Sequence, residues 1–173
     1  LFWRLNMFNV DENIMYGNVG VCRIEGILGG DEIGMNTEKK YYKLYSYREK
    51  EIIYTPTDTN VFIRKIMTKE QIKELIRKIP SLKTIEIQSK NIKVQSDYYK
   101  TFLKNCDSEN MLMLIKTIYE KNLDRKREGK KEGTTENIFF KEAQEKLHLE
   151  IAIAFGVNIE EVPKIIENEL KNM

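Results

Sequence analysis

Residues 61–76 read VFIRKIMTKEQIKELI, and this stretch decides the fold because a strand pattern changes there into a helix pattern. Its first six residues are mostly β-branched or aromatic, which favours a strand. Its second half repeats isoleucine and leucine at helical spacing, and Thr68 with Gln71 forms a capping box in front of them. We therefore predict a boundary between two modules after Met67.

The chain on the N-terminal side of this boundary has the pattern of a small β module. Five short apolar or aromatic runs are separated by turn residues, and they begin at Ile14, Val21, Tyr41, Glu51 and Val61. Five strands in so short a segment predict a small, strongly bent antiparallel sheet or barrel. We expect a barrel of the Tudor or SH3 type over residues 7–67. Residues 1–6 precede Met7, and we expect them to be a non-native or disordered leader.

The chain on the C-terminal side has helical periodicity. After the helix capped by Thr68, four more are predicted: residues 94–106, a long helix from a Ser108 cap to Gly129, a helix ending at Gly156, and residues 159–170. Residues 68–173 are therefore predicted to form a five-helix bundle. The whole chain is then an α+β protein of two modules.

The net charge of +2 conceals a division along the chain. Lys+Arg and Asp+Glu number 9 and 9 in residues 1–67, 16 and 9 in residues 68–131, and 4 and 9 in residues 132–173, which gives 0, +7 and −5. The basic middle segment indicates an anionic partner. The alternative is a solvated helix face, and composition alone does not separate the two.

No pattern for catalysis or cofactor binding is present. The sequence contains no GxxxxGK[ST], no GxGxxG after a strand and no HExxH. Cys22 and Cys106 are too far apart for a zinc site, and the single histidine, His148, is the only candidate base for a thiol nucleophile. We therefore predict that the protein is not an enzyme and has no catalytic residue, metal, cofactor or small-molecule ligand.

Two surfaces remain as candidate binding sites. The neutral, tyrosine-rich β module is suited to protein docking, since an open sheet edge accepts a strand from a partner. The basic segment carries two clusters, one beside the second helix and one at the end of the third; they contain Lys90, Lys93 and Lys100, and Arg125, Lys126, Lys130 and Lys131. If the clusters converge, they form a surface for DNA phosphates with little sequence selectivity and strong salt dependence.

The order of these parts resembles the CarD family of bacterial transcription regulators, including its CdnL-like members and the version found in Firmicutes. Short phrases carry the resemblance in the β module: FNVDE at 8–12, IMY at 14–16, GVCRI at 20–24, YYKL at 41–44, IIYTP at 52–56 and IRKI at 63–66. In the helical module, residues 103–110, 115–119, 129–131 and 143–154 are similar to the family.

The resemblance implies a mode of action. The β module is similar to the RNA-polymerase-interacting domain of transcription-repair coupling factor, which implies docking on the RNA polymerase β subunit through Ile33, Ile52, Tyr54 and Pro56. The helical module would contact promoter DNA at the upstream edge of the bubble and stabilise the open complex. In family members a tryptophan wedges into the minor groove there; its position falls at Gln95, and the only tryptophan here is Trp3.

Two functions are therefore carried forward. The first is a polymerase-docked regulator whose helical module contacts promoter DNA largely independently of sequence, with Gln95 added to the two basic clusters as DNA-binding residues. The second is an adaptor that binds RNA polymerase or another protein without DNA contact. The sequence has no apolar run of 18 residues, which a membrane span would need. Two cysteines suit a reducing compartment, so we expect a cytoplasmic, nucleoid-associated protein.

Overall fold

The computed structural model describes residues 8–173, so the predicted leader at 1–6, together with Met7, lies outside the described residues. The chain divides into two compact units, Leu1–Ile66 and Met67–Met173. In the described part, all strands belong to the first unit and all α-helices to the second, which confirms the predicted α+β class.

The first unit is one antiparallel sheet of five strands. They are β1 (Asn13–Tyr16), β2 (Gly20–Gly29), β3 (Lys40–Ser46), β4 (Ile52–Pro56) and β5 (Ile63–Lys65). Their order in the sheet is β4-β3-β2-β1-β5.

The sequence predicts a barrel, and this strand order shows an open sheet rather than a closed barrel. Within the described sheet, β4 and β5 are the two edges and are not paired with each other, so the sheet is open. Closure requires a hydrogen-bonded ladder between the outermost strands. Here β5 is only three residues long, and Pro56 ends β4 without an N–H to donate.

One face of the sheet forms the core of the first unit. Its buried cluster consists of Ile14, Tyr16, Cys22, Ile24, Tyr42 and Leu44. The Tyr16 hydroxyl lies 3.0 Å from Thr55 Oγ1, which joins β1 to β4 across the inside of the sheet. The register between β2 and β3 shifts between Ile24 and Gly26, and such a bulge increases the bend of a strand.

The second unit contains five α-helices, as predicted. They are α1 (Lys69–Arg77), α2 (Ile92–Leu103), α3 (Ser108–Arg127), α4 (Thr134–Phe155) and α5 (Val162–Lys171). No helix among residues 8–173 is long and apolar enough to cross a bilayer.

The caps explain where these helices begin. The predicted capping box of Thr68 and Gln71 is present at α1. Helix α2 begins at Ile92 rather than at residue 94, because the Asn91 side chain accepts the N–H groups of Lys93 and Val94. The prediction of a Ser108 cap on α3 is wrong by one residue, since Asp107 accepts the N–H of Asn110. Aspartate is a strong N-cap because its carboxylate satisfies a helix N–H that has no intrahelical partner.

One contact joins three helices of the bundle. The Tyr99 ring of α2 lies 5.5 Å from the Phe139 ring of α4, and Lys121 Nζ of α3 lies 3.1 Å from the Tyr99 hydroxyl. Asn122 and Arg125 of α3 contact Asn137 and Glu136 of α4, so these two helices run antiparallel. The end of α3 and the start of α4 therefore lie side by side.

Candidate protein-docking edge and nucleic-acid interface

The β4 edge offers backbone groups to a partner strand. The Ser46 N–H donates to the Glu51 carbonyl and the Thr57 N–H to the Lys40 carbonyl, both at 2.9 Å. Backbone groups alternate in direction along an antiparallel strand, so residues 51, 53, 55 and 57 bond to β3. The N–H and carbonyl groups of Ile52 and Tyr54 consequently point away from the sheet, and no hydrogen bond within residues 8–173 engages them.

The same residues present apolar side chains on the outer face of the sheet. Ile52 is 41% exposed and Tyr54 is 39% exposed, whereas Thr55, on the opposite face, is 3% exposed. Pro56 follows on the outer face and is half-buried. Three of the four predicted docking residues thus lie together on one edge strand.

Ile33 lies outside this strand. It ends a 3-10 turn, Gly30–Ile33, in the connection between β2 and β3, and its side chain is half-buried. The connection ends at Lys39, whose ammonium pairs with Asp58 after β4 at 2.9 Å. The structure therefore ties the end of this connection to the turn after β4, without placing Ile33 on the β4 edge itself.

A charged group lies on the outer face beside the edge. Glu25 binds Arg23 at 2.9 Å and Lys43 at 3.2 Å, and Lys43 is the β3 residue opposite Tyr54. Hydrogen bonds from Arg23 and Lys43 lower the pKa of Glu25, so this carboxylate stays ionised at neutral pH. Two cations share one carboxylate, which leaves a positive charge beside the apolar edge.

The predicted DNA-binding residues of α2 differ in what they do. Lys90 and Lys93 are exposed at the start of the helix, and the described residues hold no acidic partner for either. Gln95 is half-buried and donates its amide to the Ser89 carbonyl at 2.7 Å, so its side chain holds the preceding loop. Lys100 is exposed and pairs with Asp97 at 3.1 Å.

The residues at the end of α3 also differ in their surroundings, and Arg125 is the one that is partly buried. Arg125 pairs with Glu136 at 2.9 Å and contacts Asn122 at 3.3 Å, and the Glu136 side chain is only 8% exposed. Burial alone would raise the pKa of Glu136, but hydrogen bonds from Arg125 and from its own backbone outweigh it and lower the pKa. Arg125 therefore braces the turn between α3 and α4. A Cβ at Gly133 would collide with Glu136 Oε2 and Arg125 Nη1, so a larger residue there would displace the ends of both side chains.

The other three cations of this cluster are exposed. Lys130 pairs with Glu128 at 2.6 Å, whereas Lys126 and Lys131 have no acidic partner among residues 8–173. Lys93 lies six residues before Tyr99, and residue 127 lies six residues after Lys121, so each is about 9 Å along its own helix from the same contact. We call the two basic clusters on either side of this contact the basic end (residues 90–95 and 125–131).

Two apolar side chains at the basic end were not predicted as site residues. Ile92 is 65% exposed and Val94 is 50% exposed, and Lys93 lies between them. Asn91 is the signal in the sequence that could have found them, because an N-cap at this position places both residues in the unpaired first turn of a helix.

Among residues 8–173, no group of three His, Cys, Asp or Glu side chains is placed to hold a metal ion. Burial lowers the pKa of His148 on α4, so this histidine is neutral at pH 7. Cys22 lies in the first unit and His148 in the second; Cys22 and Cys106 are both fully buried.

Comparison with known proteins identifies the first unit. Residues 8–67 match the family model of the CarD-like/TRCF RID domain, in which TRCF denotes transcription-repair coupling factor. No curated protein matches the chain. The match contains the whole sheet with the β4 edge, and it ends one residue before the Thr68 cap of α1.

Proposed function

We propose, from the premise that this chain is a CarD-like protein with an N-terminal RNA-polymerase-interacting domain, that its β4 edge binds the polymerase β subunit. The helical unit then contacts promoter DNA near the upstream edge of the transcription bubble. The protein acts as a transcription regulator that stabilises the open complex.

One observation carries the docking step: Ile52 and Tyr54 combine outward backbone groups with exposed apolar side chains. A partner strand that pairs with β4 satisfies these groups and covers the apolar side chains at once. Backbone pairing supplies affinity in this mode, and the alternate side chains supply specificity. The positive charge beside Tyr54 favours an acidic residue on the partner strand.

The basic end supports the DNA contact. Lys90, Lys93, Lys126 and Lys131 are exposed cations without acidic partners among the described residues. Cations of this kind neutralise phosphates and carry no sequence information, so the contact is sequence-independent. Ile92 and Val94 add apolar tips among the lysines, and apolar side chains of minor-groove proteins insert between base steps.

Tethering explains how so small a surface acts on DNA. A docked β module raises the effective concentration of the basic end beside the promoter, so a weak contact suffices. If the contact is stronger with melted than with closed promoter DNA, binding shifts the population towards the open complex. The proposed role is binding rather than catalysis, and we expect His148→Ala to leave polymerase binding unchanged.

A specific observation favours the adaptor without DNA contact as second candidate. Of the eight predicted DNA-binding residues, Lys100, Arg125 and Lys130 are ion-paired and Gln95 is hydrogen-bonded to a backbone carbonyl. Retention of the full chain on immobilised duplex DNA at increasing salt separates the candidates. The regulator is retained at low salt and released as salt increases, whereas the adaptor is not retained at any salt concentration.

Docking is tested by capture of the polymerase β subunit on the immobilised full-length protein. We expect Tyr54→Ala to reduce capture, because it removes the apolar side chain beside the pairing groups. Tyr119→Ala is the matched control, since Tyr119 is an exposed tyrosine on α3 in the other unit. Equal capture by wild type and Tyr54→Ala would count against β4 as the docking strand.

A further inference from the structure

The β4 edge has a geometric property beyond its fit to a foreign strand: it is complementary to itself. Its two outward-pointing residues, Ile52 and Tyr54, are separated by one residue, Ile53, whose backbone groups face β3. We propose that β4 pairs antiparallel with β4 of a second copy of this chain, forming a two-fold symmetric dimer in which the docking edge is covered.

The pairing register follows from the direction of the backbone groups. A two-fold axis at Ile53 places Ile52 of one copy opposite Tyr54 of the other, and Tyr54 opposite Ile52. Both pairs are then hydrogen-bonded pairs, in which each residue donates its N–H and accepts through its carbonyl. The four bonds use every outward N–H and carbonyl group of Ile52 and Tyr54.

The side chains suit this register. On the outer face, each isoleucine at 52 lies beside a tyrosine at 54 of the other copy, and aromatic–β-branched pairs stabilise antiparallel strands. On the inner face, Ile53 meets Ile53 of the second copy, which extends the apolar core that this residue already contacts. No charged residue lies within Ile52–Pro56, so the two-fold axis brings no like charges together inside the ladder.

The flanks of β4 limit the ladder and close the assembly. Pro56 has no N–H, and its carbonyl accepts the Thr59 N–H at 3.0 Å, so pairing cannot extend past Tyr54. The other sheet edge, β5, has three residues and carries Arg64 and Lys65, and charges on a short edge strand discourage pairing. An isologous β4–β4 contact uses both copies' open edges and forms a dimer rather than a fibre.

The dimer has a consequence that rests on the proposed function. The same N–H and carbonyl groups cannot pair with a second copy and with a polymerase strand, so dimer formation competes with docking. Four backbone bonds and a few apolar side chains form a small interface, and we expect a dissociation constant of about 0.1–1 mM for the full chain. Only the monomer can therefore dock on polymerase. A high local concentration of the protein favours the dimer and reduces docking.

Cross-linking by engineered cysteines tests the register in the full chain. In the dimer, residue 53 faces its own copy as a non-hydrogen-bonded pair about 4.5 Å apart between Cα atoms, within disulfide range. Residue 52 is about 8 Å from its own copy, which is too far for a disulfide. We expect Ile53→Cys to form the disulfide dimer at least about tenfold faster than Ile52→Cys at equal concentration. The native Cys22 and Cys106 are fully buried, and wild type is the background control.

Sedimentation of the unmodified chain tests the dimer without cysteines. We expect a rise in average mass as the concentration approaches about 1 mM, and its loss in Tyr54→Lys, which places two charges in the ladder. A monomeric mass throughout this range overturns the proposal, as does equal cross-linking of Ile52→Cys and Ile53→Cys. Neither measurement contains polymerase, so failure of polymerase docking leaves the dimer result intact and the two proposals are distinguished.

Discussion

The β4 edge and the basic end are built from different chemistry. The edge presents backbone N–H and carbonyl groups whose positions are fixed by the pairing of β4 with β3. The basic end presents long, exposed cationic side chains, of which Arg127 and Lys130 pair with acids of the same unit. The first surface is directional, and the second acts through charge.

This difference predicts how each surface responds to change. A directional backbone contact is sensitive to one substitution at the right atom and depends only weakly on salt. A charged surface loses affinity in small, additive steps and responds steeply to salt. Each of the following experiments acts on one surface and leaves the other as the internal reference.

Tyr54→Pro is expected to have the largest effect. The Tyr54 N–H points away from β3, so proline removes the donor to a partner strand without removing a hydrogen bond of the sheet. We expect polymerase β-subunit binding to weaken by about 3 kcal/mol, roughly a hundredfold, because the partner carbonyl is left unpaired and the ring obstructs its approach. Titration of the β subunit measures the change.

The control for this variant is the salt dependence of duplex DNA binding by the same protein. It should be unchanged, because the basic end is not altered. If the affinity of Tyr54→Pro for the β subunit is within about twofold of wild type, the backbone groups of β4 do not take part in docking.

The fold was predictable from the sequence to the extent that it depends on local pattern. The five strands and five helices were predicted from local sequence patterns, and each is present in the structure. The Thr68 capping box is also present, at the start of α1. Barrel closure was not predictable, because it depends on whether β4 and β5 are long enough to pair, which strand runs alone do not reveal. The Asp107 cap was missed because aspartate and serine are both good N-caps. The backbone conformation decides between them: Asp107 is extended, and Ser108 is already the first residue of the helix.

The site was less predictable than the fold. Lysine clusters are visible in the sequence, but the acidic partner of a given cation is not. Arg125 and Glu136 form an ion pair although they are 11 positions apart in the sequence. The alternating direction of groups in β4 follows from its register with β3, so Tyr54 could be named while its outward N–H could not. Ile92 shows the reverse case, in which an isoleucine that resembles a core residue is exposed because its turn begins the helix.

Arg125→Met is expected to destabilise the helical unit by about 2 kcal/mol at neutral pH, since it leaves the buried Glu136 carboxylate without its cation. The folded pKa of Glu136 is lowered, so its stabilising contribution is present at neutral pH and is lost as pH falls through that pKa, below the ordinary value of 4.5. The difference between wild type and variant should therefore shrink at about pH 3. Urea unfolding at both pH values measures it.

Arg127→Met is the matched control for this experiment. Arg127 lies two residues further along α3 and pairs with Asp124 at 3.2 Å, but its side chain is 76% exposed. Its removal should change stability by less than about 0.5 kcal/mol. A destabilisation equal to that of Arg125→Met would contradict the bracing role of the Arg125–Glu136 pair.

The double variant Lys126→Ala/Lys131→Ala tests whether the basic end binds phosphates. Two fewer phosphate contacts should reduce the slope of log affinity against log salt by about 1.8 for duplex DNA and weaken binding roughly tenfold at low salt. Lys73→Ala/Lys164→Ala is the control, with the same charge change on α1 and α5. Identical slopes for the two double variants would mean that only net charge matters and that the basic end is not a site.

Ile92→Ser is expected to have the smallest effect. The side chain is 65% exposed, so stability should change by no more than about 0.5 kcal/mol. If the apolar tip enters the minor groove, affinity for a premelted promoter fragment should fall about threefold while the salt slope stays constant, because no phosphate contact is lost. Tyr119→Ser, which removes an exposed apolar side chain from the middle of α3, should leave both unchanged. Unchanged affinity in Ile92→Ser would instead describe the basic end as a purely electrostatic surface, and the contrast with the directional β4 edge would then be complete.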